Sequence, residues 1–387
     1  MRNVSIVGAG TTPFGELGAG VTDLGSRAVV RAMDDGGVAT DEVDALYLGN
    51  FVAGILEGQG AVGPIVADEV GLTGVPAASV EGACASSGIA FRQAYNAIAT
   101  GVHDVVIAGG VESMTNADTP EFTRALGSAA HQRTEGTSGL TFPGFYGMYL
   151  DRYLHEHDAT REQVAEVAVK NRANGAKNPR ARFQEAVDVE TVLESDPVAD
   201  PLRLYDCCPA ADGAAAVVLA ASDLAPSFTD RPVDVLASAH STGPNAAHRY
   251  DDLTTLDATV AAADRAYEEA GVAPDDLDVI ELHDCFTPAE VGDAEDLGLF
   301  EKGDGARATA AGETAVDGPH PINPSGGLLA KGHPVGATGV GQIYEVRRQL
   351  LGDHENQVED VRLGLTHNAG GSGVVCTVTV LGRDADV

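Results

Sequence analysis

Residues 78–101 read ASVEGACASSGIAFRQAYNAIATG, and this stretch decides how the rest of the chain is interpreted. It predicts a short strand, a tight turn and an amphipathic helix, because its later apolar residues recur at helical spacing. Cys84 lies in the turn among small residues, which leave room for a substrate. We expect the free N–H groups and the positive end of the helix dipole to favour its thiolate over its thiol.

This turn has the layout of a nucleophile elbow, with sulfur in place of a serine oxygen. For a lone cysteine, a buried structural role is the competing interpretation. Partner residues for Cys84 must therefore be sought elsewhere in the chain.

The charge balance excludes some classes of partner. The 387-residue chain carries 58 acidic and 24 basic residues, a net charge of −34, and the acids are spread along its length. This distribution argues against nucleic acid or an anionic membrane as a partner. We expect a salt-rich cytoplasm, since screening makes dense surface carboxylate tolerable there.

Length, hydropathy and cysteine usage predict a globular protein of a reducing compartment. The chain is long enough for two domains or one duplicated unit, and it has no apolar run that could span a bilayer. The opening segment MRNVSIVGAG has no signal-peptide pattern, which predicts a cytoplasmic protein. The five cysteines show neither zinc-site nor disulfide spacing, so we expect a reducing compartment and no metal.

An internal repeat sets the expected architecture. The segments 38–51 and 272–286 align from their first residues, an offset of 234 positions, with identities such as Asp44 with Asp278, and the preceding helices also agree. The apolar strands suit a sheet covered by helices on both faces. We therefore predict an α/β fold of two similar halves packed as five α/β/α/β/α layers, with the helices that follow Cys84 and His333 converging on one site.

The predicted boundaries follow from this repeat. Residues 1–112 and 210–225 form the N-terminal half, and residues 226–387 form the C-terminal half. Residues 113–209 are expected to form an inserted loop domain.

A basic cluster occupies residues 170–183 of the insertion, KNRANGAKNPRARF. In so acidic a chain, Arg180 and Arg182 are candidates for binding a polyphosphate-bearing ligand. Solvated cations at a helix end are the alternative.

Three further motifs complete the candidate site. They are HDCF at residues 283–286, GHPVGATG at residues 332–339 and HNAGGSG at residues 367–373. Each is weak alone, because a histidine at a strand end or a Gly-rich turn is common. Their order and spacing together with Cys84 are specific.

With these motifs the sequence resembles the thiolase superfamily over essentially its whole length. It is most similar to archaeal acetyl-CoA acetyltransferases and to sterol-carrier-protein-X type thiolases, in which HDCF stands where other thiolases have Asn-Glu-Ala-Phe. Most thiolases place a second catalytic cysteine near the position of His367. The resemblance implies that Cys285 takes over that role.

The chemistry of a Claisen condensation gives each residue a task. Cys84 would hold one acyl group as a thioester, and His333 would accept its proton. Cys285 would deprotonate or reprotonate the alpha carbon of the second acetyl group, and His283 would stabilise the enolate. Backbone N–H groups of Cys84 and of the turn around Ala369 and Gly370 would form a second oxyanion hole.

Two residues remain open between binding and structure. Asn323 either hydrogen-bonds near His283 or only starts a turn. His367 either orients the second acyl group or holds the Gly-rich turn in place.

The resemblance implies an acetyl-CoA C-acetyltransferase that uses CoA as substrate and product and needs no other cofactor. It also implies that the inserted loop domain, residues 113–209, binds CoA and the acyl group. A 3-ketoacyl-CoA thiolase of longer chain length, for polyhydroxyalkanoate or fatty-acid degradation, is an alternative. A hydroxymethylglutaryl-CoA synthase or ketoacyl synthase, and a non-catalytic acyl-CoA-binding subunit, are the others. The resemblance also implies a homodimer or tetramer, an OB-fold, zinc-ribbon accessory protein and an associated hydroxymethylglutaryl-CoA synthase.

Overall fold

The computed structural model of the chain describes residues 1–383. Its strands are β1 (Val4–Thr11), β2 (Ala45–Gly49), β3 (Ala77–Val80), β4 (Val105–Glu112), β5 (Pro197–Ala199), β6 (Leu202–Arg203), β7 (Gly213–Ala221), β8 (Val233–Thr242), β9 (Val279–Glu281), β10 (Leu363–Gly370) and β11 (Val375–Gly382).

Its helices are α1 (Val21–Gly36), α2 (Ala53–Leu56), α3 (Val62–Glu69), α4 (Ser86–Ala99), α5 (Thr119–Gly127), α6 (Phe142–Glu156), α7 (Arg161–Gly175), α8 (Val189–Glu194), α9 (Asp257–Ala270), α10 (Thr287–Asp296), α11 (Gly305–Ala310), α12 (Gly327–Lys331) and α13 (Thr338–Leu351).

One nine-stranded sheet runs through the molecule in the order β3-β2-β4-β7-β1-β8-β11-β10-β9. Its first five strands come from the N-terminal part of the chain and its last four from the C-terminal part. The two sets join where β1 pairs with β8 in antiparallel register, Val4 opposite Val235. Strands β5 and β6 form a separate two-stranded sheet within the insertion.

The pairing pattern repeats across this junction, as the sequence duplication predicts. In the first half β3, β2 and β4 are parallel, and β4, β7 and β1 are antiparallel. In the second half β9 and β10 are parallel, and β10, β11 and β8 are antiparallel. A parallel bridge from Ile280 to Ile322 stands where β3 stands in the first half.

Individual side chains repeat their roles at the same offset. Asp44 accepts hydrogen bonds from the backbone N–H groups of Asp104 and Val105. Asp278 does the same for Arg362 and Leu363. The preceding helices α1 and α9 also end alike, on Gly37 and Gly271 with φ of 62° and 71°.

The predicted five layers are present. Helices α4 and α13 touch each other and strands of both halves, so they form the central layer. Their apolar faces, with Phe91 and Ile343 fully buried, share one core with both parts of the sheet. Helices α1 and α3 cover the outer face of the first half, and α9 covers that of the second.

Residues 113–209 pack against the C-terminal half through α7, which contacts α10, α11 and α12. Strand β7 follows this insertion and returns to the first half between β4 and β1. Within residues 1–383, the helices all lack the combined length and apolar character needed to cross a membrane.

Candidate active site

The start of α4 and the start of α13 meet at the centre of the molecule. The N–H of Val340 donates to Oγ of Ser87 at 3.1 Å. A Cβ added to Gly339 would lie 2.6 Å from the backbone nitrogen of Gly88, so only glycine permits this approach. The predicted convergence of the two helices on one site is therefore present.

Cys84 lies in the turn between β3 and α4, as predicted. The turn is a 3₁₀ segment, Ala83–Ala85, held by the hydroxyl of Ser86, which donates to the carbonyl of Ala83 at 2.6 Å. Ala83 has a left-handed φ of 50°, a strained conformation for a residue with a side chain. Strain of this kind is a feature of nucleophile elbows.

His333 follows α12 and faces the cysteine with a bare nitrogen. Its Nδ1 lies 2.8 Å from Oγ1 of Thr338, whose hydroxyl donates to the carbonyl of Pro334 at 3.1 Å. With that hydroxyl proton assigned to Pro334, Nδ1 of His333 is the donor in their bond. Nε2 is therefore unprotonated, and it is buried without a hydrogen-bond partner among residues 1–383.

His283, which follows β9, completes the centre. One nitrogen from each imidazole and Sγ of Cys84 lie within 4.8 Å of one another. The rings of His283 and His333 meet edge to face, with centroids 4.9 Å apart. Nδ1 of His283 is 3.1 Å from the side-chain nitrogen of Asn368, which leaves its Nε2 for the substrate side.

Burial keeps this centre uncharged at rest. Removal of water raises the pKa of the Cys84 thiol to about 12, and burial lowers the pKa of His333 to about 3. These shifts run against the expectation of a resting thiolate. Desolvation raises the pKa of Cys84 by more than the backbone N–H groups lower it. The negative charge of Glu112 raises this pKa further.

The neutral state of Cys84 and His333 predicts how the rate of Cys84 alkylation depends on pH. We expect the rate of Cys84 alkylation by iodoacetamide to rise about tenfold per pH unit from about pH 6 to pH 10, because the thiolate fraction grows by that factor below the pKa. Mass spectrometry of the labelled peptide measures the rate. Glutathione is the reference, since an ordinary thiol levels off near pH 9. A plateau near neutral pH for Cys84 would show a resting thiolate instead.

Cys285 is buried beside the same centre. It is two residues beyond His283 in the segment between β9 and α10, and its thiol shares a hydrogen bond with the hydroxyl of Tyr146. Burial raises the pKa of Cys285 well above its usual value, and the bond from Tyr146 opposes that rise. Tyr146 is itself stacked on Phe286, with ring centroids 4.6 Å apart.

The amide groups that reach the sulfur are those of Cys84 itself and of Gly371. The sequence prediction named a different task, an oxyanion hole formed by N–H groups of Cys84 and of the turn around Ala369 and Gly370, and this remains a prediction. Ala369 and Gly370 belong to β10, where they lie opposite Cys376 and Val375 of β11. Gly371, whose N–H reaches the sulfur, directly follows β10 in a left-handed turn, where φ is 65°.

A cavity of about 710 Å³ opens above these residues. Its lining includes Cys84, His283, Cys285 and His333, so one space gives access to all four predicted catalytic side chains. The remaining walls are mostly apolar and come largely from the insertion: Met114, Phe122, Leu126, Leu140, Phe142, Tyr146, Val198 and Leu204. A cavity of this size and character is typical of a small-molecule site.

The basic cluster is engaged within the chain. Arg180 pairs with Glu355 at 2.9 Å and with Glu345 at 3.3 Å. Arg182 pairs with Glu16 at 2.6 Å and donates to the carbonyl of Ala210. Neither arginine is part of the cavity wall. A phosphate-bearing ligand would have to compete with these carboxylates.

Asn323 and His367 lie behind the site rather than in its cavity. Asn323 accepts from the N–H of Leu282 at 2.9 Å and donates to Glu290 at 2.9 Å. Nδ1 of His367 accepts from the N–H of His283, and its Nε2 lies 3.0 Å from Oγ1 of Thr259. Both residues therefore hold the backbone around His283.

Sequence reasoning missed Asn368, Thr338 and Tyr146. Asn368 and Thr338 lie inside the HNAGGSG and GHPVGATG motifs, so a search for hydrogen-bond partners of the histidines within their own motifs could have suggested them. Tyr146 comes from α6, far away in sequence, and no local pattern links it to Cys285.

Comparison with known proteins agrees with the fold. The family model described as "Thiolase, N-terminal domain" matches residues 4–223, and "Thiolase C-terminal domain-like" matches residues 238–383. The chain is 46% identical to the acetyl-CoA acetyltransferase of Methanothermobacter thermautotrophicus over 99% of this chain and 100% of that one. It is 32% identical to human sterol carrier protein 2, over 99% of this chain and 72% of the relative.

A solved structure described as the Ltp2-ChsH2(DUF35) aldolase superposes with a TM-score of 0.87 at 26% identity, covering 99% of this chain and 98% of that one. The duplicated fold, the half-buried cysteine and its histidines are those of a cysteine-dependent acyltransferase. The chain belongs to the thiolase family.

Proposed function

We propose that this protein is an acetyl-CoA C-acetyltransferase, which interconverts two acetyl-CoA molecules with acetoacetyl-CoA and CoA. The observation that carries the proposal is the difference between the hydrogen-bond partners of the two imidazoles, which assigns them complementary protonation. His333 presents a bare nitrogen that can take the proton of Cys84, and His283 presents an N–H that can stabilise an oxyanion. The name of the archaeal relative supports the acetyl specificity.

Two protons move in the acylation step, one from Cys84 to His333 and one from Cys285 to the sulfur of CoA. Sγ of Cys84 attacks the thioester carbonyl while Nε2 of His333 takes its proton. The carbon–sulfur bond to CoA then breaks. The thiol of Cys285, protonated at rest because burial raises its pKa, gives its proton to the departing CoA sulfur. The products are acetyl-Cys84, free CoA, a protonated His333 and a Cys285 thiolate.

The condensation step returns each catalytic side chain to its resting protonation state. The Cys285 thiolate removes a proton from the methyl group of the second acetyl-CoA, and the N–H of His283 stabilises the resulting enolate oxygen. The carbanion attacks the acetyl carbonyl on Cys84, and the bond to Sγ breaks. His333 returns its proton to the Cys84 thiolate, so CoA takes part only as substrate and product.

Intact-mass spectrometry after mixing with acetyl-CoA tests this function. We expect one acetyl increment on the wild type and on Cys207→Ser, a thiol in the same cavity wall, and none on Cys84→Ser. An increment that persists in Cys84→Ser would refute the nucleophile assignment. No increment on the wild type, in high salt and with candidate partner proteins added, would favour a non-catalytic acyl-CoA-binding subunit.

A 3-ketoacyl-CoA thiolase of longer chain length is the second candidate, and the cavity favours it. Its volume of about 710 Å³ and its mostly apolar walls can take more than an acetyl group. Thiolysis of acetoacetyl-CoA against longer 3-ketoacyl-CoA substrates at equal concentration decides between the two by their kcat/KM ratio.

We also propose a salt-rich cytoplasm as the setting, because the chain carries a net charge of −34. Self-repulsion between surface carboxylates weakens the folded state when salt is scarce. We expect the melting temperature to rise steeply from about 0.1 M to about 2 M KCl, where the Debye length falls below ~3 Å. Sucrose of matched osmolality is the control. Equal stability with and without salt would contradict this setting.

Homo-oligomerisation, as a dimer or tetramer, and an OB-fold, zinc-ribbon accessory protein are the partners we propose. The accessory protein draws support from the structural relative, whose name includes a DUF35 component. An associated hydroxymethylglutaryl-CoA synthase would consume acetoacetyl-CoA. Size-exclusion chromatography with light scattering, alone and with each candidate, tests these assemblies.

A further inference from the structure

Asn368 joins the nucleophile turn to His283. It is the sixth residue of β10 and its side chain is 2% exposed. Its side-chain nitrogen donates to the carbonyl oxygen of Cys84 at 3.0 Å and lies 3.1 Å from Nδ1 of His283. No other described side chain bonds both residues.

These two contacts fix the orientation of the amide. A carbonyl oxygen only accepts hydrogen bonds, so the NH₂ end of Asn368 must face Cys84. The same NH₂ group faces Nδ1 of His283, which must therefore accept. A neutral His283 then carries its proton on Nε2. Burial lowers the pKa of His283 well below its usual value, which keeps the ring neutral.

The side-chain oxygen of Asn368 makes no hydrogen bond that would offset its burial. Oδ1 of Asn368 is buried without a hydrogen-bond partner within the described chain. It lies against the crossing of α4 and α13, where a Cβ added to Gly339 would come within 2.3 Å of it and one added to Gly88 within 3.0 Å. An orphan acceptor costs about 1–3 kcal/mol, so the amide is retained for what its nitrogen does.

The proton on Nε2 of His283 also affects whether the site can bind a metal ion. A cysteine and two histidines whose ligand atoms lie within 4.8 Å of one another have the composition of a zinc site. A metal-bound imidazole needs a bare nitrogen towards the metal, while its other nitrogen donates to an acceptor. His333 meets this requirement, since its Nδ1 donates to Thr338. His283 does not, because its Nδ1 faces a donor.

We infer that Asn368 is a positioning residue that holds His283 as an N–H donor and thereby keeps the triad of Cys84, His283 and His333 from binding a transition metal. The donor role rests on the proposed function. The exclusion of metal does not, because it depends only on the hydrogen bonds around the two rings.

Replacing Asn368 by aspartate reverses the hydrogen bond. A carboxylate accepts from Nδ1 of His283 and leaves Nε2 bare, which is the arrangement found around bound zinc. We expect N368D to bind Zn²⁺ about 10–100-fold more tightly than the wild type, as measured by competition with a chromogenic chelator. Zinc should then protect Cys84 of N368D from iodoacetamide.

Two further variants separate this effect from damage or charge. N368L removes the donor without supplying an acceptor, so the His283 tautomer is no longer fixed and its zinc affinity should lie between those of the wild type and N368D. N245D introduces the same charge at a residue that bonds Arg249 on the surface loop after β8, and it should leave zinc affinity unchanged.

The kinetic arm uses the two half-reactions. Both Asn368 variants also lose the bond to the carbonyl oxygen of Cys84, so any loss of Cys84 acetylation should be similar in the two, and a cooperative thermal melt shows that they fold. Condensation to acetoacetyl-CoA should fall by about 10²–10³ in N368D, the cost of losing one oxyanion donor, and by less in N368L.

Equal zinc affinity in N368D, N368L and the wild type would overturn the inference, as would equal condensation rates in N368D and the wild type. A purely structural Asn368 predicts loss in both variants and no gain of zinc binding. If the wild type itself is never acetylated, the proposed function fails while the zinc measurement still decides the role of Asn368.

Discussion

Replacement of Cys285 by alanine is expected to stop exchange of the acetyl-CoA methyl protons with solvent while Cys84 is still acetylated. Loss of a general base should slow exchange by about 10²–10⁴. Acetylation survives because a thiol with an ordinary pKa near 8.5 can leave as the thiolate without help, whereas a carbon acid needs a base. Deuterium uptake into acetyl-CoA, followed by NMR, measures the first quantity, and intact mass measures the second.

The matched control is Cys207→Ala, because Cys207 lies in the wall of the same cavity and no catalytic role is proposed for it. It should exchange protons at the wild-type rate. Normal exchange in Cys285→Ala would remove Cys285 from the mechanism. Loss of acetylation together with exchange would mean that Cys285 is needed already for the first step.

Replacement of His333 by asparagine should slow acetylation of Cys84 by about 10²–10⁴, because the thiol, with a pKa raised to about 12, then has no group to take its proton. Asparagine keeps a side chain that can donate to Thr338 but cannot act as a base. Stopped-flow release of CoA in a single turnover measures the rate. Raising the pH should partly restore the variant, since hydroxide can then form the thiolate.

His103→Asn is the control, because His103 lies in the loop between α4 and β4 and should be kinetically silent. Acetylation at the wild-type rate in His333→Asn would assign the proton to a different acceptor. A variant that is slow at every pH to the same degree would point to a disturbed turn rather than a missing base.

The amino-acid sequence determined the architecture and the membership of the site. The duplication at residues 38–51 and 272–286 predicts two similar halves because repeated sequence makes repeated local structure, and the repeated roles of Asp44 and Asp278 bear this out. The motifs around Cys84, His283, Cys285 and His333 predict neighbours because the ends of strands and the starts of the central helices meet at one place.

The state of those groups was decided only by tertiary structure. A helix start predicts a thiolate at Cys84, yet burial by both halves raises its pKa, and burial is not a local property. The basic run at residues 170–183 predicts a phosphate site, yet Arg180 meets Glu345 and Glu355, which lie far away in sequence. In the same way, the proton on His283 is placed by Asn368, which β10 carries to it from 85 residues away. Sequence patterns report what each segment prefers alone, whereas charge, pKa and tautomer depend on which distant atoms the fold brings within hydrogen-bonding distance.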